Sequence, residues 1–102
     1  MDLKQLDESI ADRSAADPSN SWTAKLLAEG TSYVARKVGE EATETVVAAL
    51  SGSKAELSEE AADLLYHLLV LLRSRGVSLN DVMNVLERRS ARSGIEEKRS
   101  RT

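Results

Sequence analysis

Two short acidic patterns carry the chemistry that this chain could perform. The first, GEEATE (Gly39–Glu44), sets Glu40, Glu41 and Glu44 within two helical turns, and the second, EEAAD (Glu59–Asp63), sets Glu60 and Asp63 three residues apart. A helix turns about 100° per residue, so Glu44 lies ~40°, Lys37 ~60° and Glu41 ~100° from Glu40. Val34, Val38, Ala42, Thr45 and Ala49 make an apolar stripe centred ~160° from Glu40, which puts the acids beside a buried face and not opposite it. In the second segment Glu56, Asp63 and His67 fall within about 60° of Glu60. Leu57, Ala61, Leu64, Leu65, Leu68, Leu69, Leu71 and Leu72 cover a broad arc on the other side.

Helices packed about 8–10 Å apart could bring the two acidic edges face to face. Two carboxylates about 6 Å apart repel by roughly 3 kcal/mol at an effective dielectric near 20, and by under about 1 kcal/mol in bulk water. A partly buried cluster of four therefore needs protons or a cation. An all-oxygen ligand set favours Mg²⁺, with Mn²⁺ as a substitute, over zinc. Alone, the first pattern reads as a solvated helix face, and the second pattern at another core edge turns the reading towards a metal. His67 is either a residue at the core boundary or a part of the site. It cannot build a di-iron centre, which takes a Glu-x-x-His from each of two helices, because it is the sole histidine and Leu64 stands three residues before it.

The elements that must hold these groups are helical. Asp2 caps a first helix with Leu3, Leu6 and Ile10 on one face, and AADPSNS (Ala15–Ser21) turns the chain. WTAKLLAE makes a short helix that breaks near Gly30. A long helix from about Thr31 to Leu50 stops at Gly52, and the next runs from about Ala55 to Arg75, closed by Gly76. Ser78 caps a last helix, with Asp81 completing a weak capping box. The fold expected is all-α, one domain over residues 1–102 with four to five helices, in which residues 93–102 form a basic, mobile tail. The leucine arc is wider than one neighbouring helix can cover, so a symmetric dimer is expected to complete the core.

Composition narrows the function further. With 102 residues, no cysteine and one proline, the chain has no disulfide framework and no thiolate ligand or nucleophile. The amino terminus lacks a secretory signal, and the apolar run Leu64–Leu72 is far short of the roughly 20 residues of a membrane span. A soluble, cytoplasmic protein follows as the expectation. Seven acidic residues and one basic residue lie between Glu40 and Asp63, whereas six of the 14 basic residues follow Glu87. With Trp22, Tyr33 and Tyr66 as the whole aromatic complement, neither charge nor stacking suits a nucleic acid.

KVGEEATE (Lys37–Glu44) and SEEAADLLYHLLVLL (Ser58–Leu72) together resemble the paired Glu-Glu-x-x-Glu and Glu-x-x-Asp signature of the all-α NTP pyrophosphatases. SWTAKLLAEG (Ser21–Gly30), RGVSLNDVMNVLERR (Arg75–Arg89) and SGIEEKRSR (Ser93–Arg101) extend the resemblance, in order and spacing, to the phosphoribosyl-ATP pyrophosphohydrolase family of histidine biosynthesis. That resemblance implies Mg²⁺-dependent hydrolysis of the α–β phosphoanhydride of phosphoribosyl-ATP to phosphoribosyl-AMP and pyrophosphate. It implies Glu41, Glu44, Glu60 and Asp63 as metal-binding carboxylates, with Glu40 binding a second metal or orienting the attacking water. Lys37 suits a phosphate contact, and Lys98 and Arg101 could close over the polyanionic substrate, with His67 counted among the substrate-binding residues. The cyclohydrolase of the next step, often fused to this domain in the family, is not expected in these residues, because the cysteine and histidine ligands that its zinc site would use are absent.

Two rival readings stand beside it. The acidic patterns handle phosphates and would serve equally a house-cleaning pyrophosphatase acting on nucleoside triphosphates. A non-catalytic helical dimerisation module with solvated acidic edges is the alternative from outside enzymes.

Overall fold

The computed structural model of the chain describes residues 1–91 together with Lys98 and Arg99. Residues 1–91 hold five helices: α1 (Leu3–Ser14), α2 (Trp22–Glu29), α3 (Thr31–Ser51), α4 (Lys54–Ser74) and α5 (Leu79–Ser90). The all-α expectation holds. Among the described residues there is no strand, and no helix is long and apolar enough to cross a membrane.

Local sequence signals set the helix starts. The Asp2 carboxylate accepts from the Gln5 backbone N–H while the Gln5 side chain accepts from the Asp2 N–H, a capping box that closes the start of α1. Ser21 caps α2, and Ser53 caps α4 by accepting from the Glu56 N–H at 3.1 Å. Helix α4 therefore begins at Lys54, ahead of the start expected near Ala55, because the Ser53 hydroxyl satisfies an end that would otherwise fray. Ser78 and Asp81 form the capping box of α5.

Helices α3 and α4 form an antiparallel hairpin about the Gly52–Ser53 turn and are the principal packing pair. The core lies at the open end of that hairpin. There Val34 of α3 and Leu69 and Val70 of α4 bury against Ile10 of α1 and Leu26 of α2. Arg73 of α4 reaches Asp7 of α1 at 3.4 Å, and the Thr31 hydroxyl donates to that of Ser74 at 3.1 Å. Helix α5 joins this core through Leu79.

Burial departs from the expected faces in two places. Leu3 is exposed, because the first turn of α1 overhangs the core, and Ala49 is exposed whereas Ala48 is buried. The leucine arc of α4 is covered on one flank only: Leu69 is buried, while Leu65 and Leu68 are 46% and 37% exposed.

Gly30 joins α2 to α3 with φ 97° and ψ 167°, a conformation essentially reserved for glycine. Gly39 sits inside α3, where a Cβ would meet no neighbour. Two alanine substitutions therefore have opposite expected signs. Gly30→Ala destabilises by about 1–3 kcal/mol, and Gly39→Ala stabilises by about 0.5–1 kcal/mol, both read from urea unfolding midpoints.

Candidate active site

The hairpin register assembles the acidic cluster. Residues about equally distant from the Gly52–Ser53 turn face each other across α3 and α4, so Glu41 meets Asp63 and Glu44 meets Glu60. One carboxylate oxygen from each of Glu41, Glu60 and Asp63 lies within 4.8 Å of the others. Glu41 and Glu60 are half-buried, whereas Asp63 and Glu44 are exposed. The Thr45 hydroxyl donates to the Glu41 carbonyl at 2.7 Å, and that of Thr43 to the Gly39 carbonyl at 3.1 Å. These hydroxyls thus bond back along α3 and leave the carboxylates unneutralised.

The electrostatics record the crowding. Desolvation, then the charges of Glu44 and Asp63, hold the Glu41 carboxyl above its ordinary range, with His67 acting the other way. Glu60 is raised first by its hydrogen-bonding approach to Glu44, then by desolvation and by the charges of Glu44, Glu41 and Asp63. Glu41 and Glu60 therefore each sense both Glu44 and Asp63, although Glu44 stands outside the tightest trio. Oε2 of Glu41 and Oε2 of Glu60 are closed to solvent and have no hydrogen-bond partner. Oxygen acceptors closed to solvent in an all-carboxylate cluster are the kind of donor that a hard divalent cation takes.

His67, 8% exposed, lies one turn beyond Asp63. Its Nδ1 is 2.8 Å from the Asp63 carbonyl oxygen, and its ring meets that of Tyr66 edge-on at 5.3 Å. Tyr66 is held in turn by a hydrogen bond between its hydroxyl and that of the buried Thr23 on α2.

The remaining expected residues are dispersed. Glu40 is exposed on α3 and outside the grouped oxygens. Lys37 is half-buried with its ammonium 5.9 Å from the Tyr33 ring centroid, and Arg36 shares that ring. Lys98 is exposed, and Arg101 lies outside the described residues. Beyond the cluster, towards the turn, an open groove of about 270 Å³ is lined by Glu44, Glu56 and Glu60 together with Val47, Ala48 and Ser51. Glu56 falls on the acidic side of α4 in the helical projection. Sequence reasoning gave it no role, and its place opposite Ala48 in the hairpin register was the signal that could have found it.

A carboxyl with a raised folded pKa favours folding below its ordinary value of 4.5, and that contribution is lost as pH rises through the folded value. Replacing Glu60 by Gln removes one such loss. Without divalent cations, the melting temperature of Glu60→Gln relative to the parent is expected to rise between about pH 4 and about pH 7. Excess Mn²⁺ is expected to erase that gain by stabilising the parent. A difference that stays flat or falls with pH would contradict the crowded-carboxylate account.

Comparison with known proteins agrees with this geometry. Residues 3–90 match the family described as phosphoribosyl-ATP pyrophosphohydrolase. A phosphoribosyl-ATP pyrophosphatase of Paracoccus denitrificans is 59% identical over 99 residues, covering 97% of this chain and 92% of the relative. Proteins of the same name from Erythrobacter litoralis and Dinoroseobacter shibae are 56% and 54% identical, each over 97% of this chain and over 95% and 97% of their own lengths. With the family matched from α1 to the end of α5, the chain belongs to the phosphoribosyl-ATP pyrophosphohydrolases, hydrolases of histidine biosynthesis.

Proposed function

We propose that the seam between α3 and α4 is the metal-dependent centre at which this chain hydrolyses phosphoribosyl-ATP to phosphoribosyl-AMP and pyrophosphate. The observation that carries the reading is the meeting of Glu41, Glu60 and Asp63 oxygens within 4.8 Å, two of these residues also holding a shielded, unpartnered oxygen. Glu44, close to both Glu41 and Glu60, supplies the fourth carboxylate. The donor set is all oxygen and fits Mg²⁺ or Mn²⁺. When bound, such a cation neutralises charge developing on the phosphates and makes a water more acidic.

The chain's residues do the rest by position. Water oxygen bonds to one phosphorus of the α–β anhydride, the bridging P–O bond breaks with its electron pair going to the product that holds the other phosphorus, and the water gives up a proton, so that phosphoribosyl-AMP and pyrophosphate result. No side-chain nucleophile is needed. Glu40, on the same helix as Glu41 but turned to solvent, is assigned to a second cation or to the attacking water. Lys37, one turn before Glu41, is assigned a phosphate contact, as are Lys98 and Arg101, and His67 lines the inner end of the site. A cytoplasmic location follows from the substrate, a metabolic intermediate.

The second copy expected from sequence belongs to the same proposal. Val46, Val47 and Leu50 on α3 and Leu65 and Leu68 on α4 leave apolar surface outside, with Leu50 83% exposed. A monomer gains little by presenting such a surface to water. A homodimer burying these faces is the arrangement that the burial pattern supports.

Pyrophosphate release from phosphoribosyl-ATP is expected to require Mg²⁺ or Mn²⁺, and to fall by about a hundredfold or more in Glu41→Gln and Asp63→Asn. Both variants are expected to weaken Mn²⁺ binding by roughly tenfold or more, with Glu59→Gln on the same helix as the unaffected control. Release from nucleoside triphosphates alone would favour the house-cleaning activity. Parent-like Mn²⁺ binding by both variants would remove the metal centre. Sedimentation at micromolar concentration is expected to give a dimer, and a folded monomer there would overturn the second-copy assignment.

A further inference from the structure

Outside the acidic seam, a cavity of about 260 Å³ opens where the α1–α2 turn meets α4. Its wall includes Arg13, Asn20, Trp22, Thr23 and Tyr66, and it holds no carboxylate. Asp17 belongs to the same turn, but its carboxylate is taken up by the N–H and the hydroxyl of Ser19. Arg13 is exposed, and its guanidinium has no ion pair or hydrogen bond among the described residues. The Arg13 carbonyl, by contrast, accepts from the Ser21 hydroxyl at 3.2 Å, which ties the end of α1 to the start of α2.

Thr23 and Tyr66 add a donor that nothing inside the protein uses. Their hydroxyls are bonded to each other, and Thr23 is 1% exposed. Two hydroxyls bring two hydrogens, and one bond between them consumes only one. The other has no acceptor among the described residues. With the Arg13 guanidinium and the Asn20 amide, this leftover O–H makes the wall rich in donors. Trp22, 45% exposed, adds a flat apolar ring, with the Lys25 ammonium 5.8 Å from its centroid. Cationic and hydroxyl donors beside an aromatic face suit a sugar phosphate, whose anion takes the donors and whose C–H surface takes the ring.

The cavity and the acidic seam share α4. Tyr66 follows Asp63 by three residues, about 4.5 Å along the helix axis, and its ring stands edge-on to that of His67. The volume is below the roughly 300–1,000 Å³ of pockets that enclose a whole drug-sized ligand, so the cavity fits one end of a larger molecule. We propose that it holds the phosphoribosyl group of phosphoribosyl-ATP, with Arg13 on the phosphate monoester and Trp22 against the ribose, while the anhydride lies at the α3–α4 seam. Arg13 is thereby a specificity residue, because it touches the part of the substrate that a nucleoside triphosphate lacks. The assignment rests on the reaction proposed above.

The sole tryptophan gives a readout independent of activity. Ribose 5-phosphate is expected to shift the Trp22 fluorescence of the parent, and Arg13→Gln is expected to weaken that binding by about tenfold or more. Lys4→Gln, which removes a positive charge from the same helix outside the cavity, is expected to leave it unchanged. With phosphoribosyl-ATP, Arg13→Gln is expected to raise KM by about tenfold, while kcat and Mn²⁺ affinity stay near the parent's. Its binding of phosphoribosyl-AMP is expected to weaken likewise, and its binding of AMP to match the parent's. The proposal is overturned by a Trp22 that ignores ribose 5-phosphate, by an equal loss in Lys4→Gln, or by equal weakening of AMP and phosphoribosyl-AMP in Arg13→Gln. A parent whose Trp22 responds to ribose 5-phosphate, yet which releases no pyrophosphate from phosphoribosyl-ATP, would bring down the reaction and the substrate's identity while the sugar-phosphate cavity stands.

Discussion

Mutual repulsion among Glu41, Glu44, Glu60 and Asp63 is the constraint around which the hairpin is arranged. Carboxylates gathered at a helix seam favour separation of the helices, so apolar contact elsewhere must hold them together. That contact comes from the open end of the hairpin, where Val34, Leu69 and Val70 are sealed by Ile10 and Leu26. Helices α1 and α2 thus clamp one end of α3 and α4. The acids lie between the clamp and the Gly52–Ser53 turn, and the connection at each end limits how far the seam can open.

The same layout explains why the cluster is half-buried and not fully enclosed. Were α1 and α2 to extend over it, the desolvation cost for ionised carboxylates would climb steeply. Were they absent, the acids would be solvated and too mobile to hold a fixed ligand geometry. The raised Glu41 and Glu60 record the intermediate case, in which water is partly excluded and like charges crowd one another.

Much of this was legible in the sequence because a helical hairpin obeys simple geometry. The 3.6-residue period put both acidic edges beside apolar stripes, and capping residues and glycines marked where the helices end. What the period could not supply is the packing partner. Leu65 and Leu68 share the apolar face of α4 with the buried Leu69 yet stay exposed, since that face is wider than the helices that cover it. Glu40 illustrates the same limit within the site. It stands next to Glu41 in the chain, but successive residues on a helix diverge by about 100°, so one joins the seam and its neighbour faces solvent. Likewise His67 was visible as a residue on the acidic side, whereas the bond from its Nδ1 to the Asp63 carbonyl is a matter of rotamer.

An acid-lined groove is a poor receptor for a polyanion, and this bears on how the proposed centre is organised. Glu44, Glu56 and Glu60 line the space beside the cluster, while Lys37 and Arg36 gather at Tyr33 on the clamped side. Phosphates entering the groove without cations would add like charge to a seam that is already crowded. A divalent cation held by Glu41, Glu60 and Asp63 would supply the positive charge that offsets both the carboxylates and the phosphates. Substrate and cation would then bind with mutual reinforcement, and neither would bind well alone. On that view the crowding among the carboxylates is also what makes occupancy of the site depend on both partners arriving together.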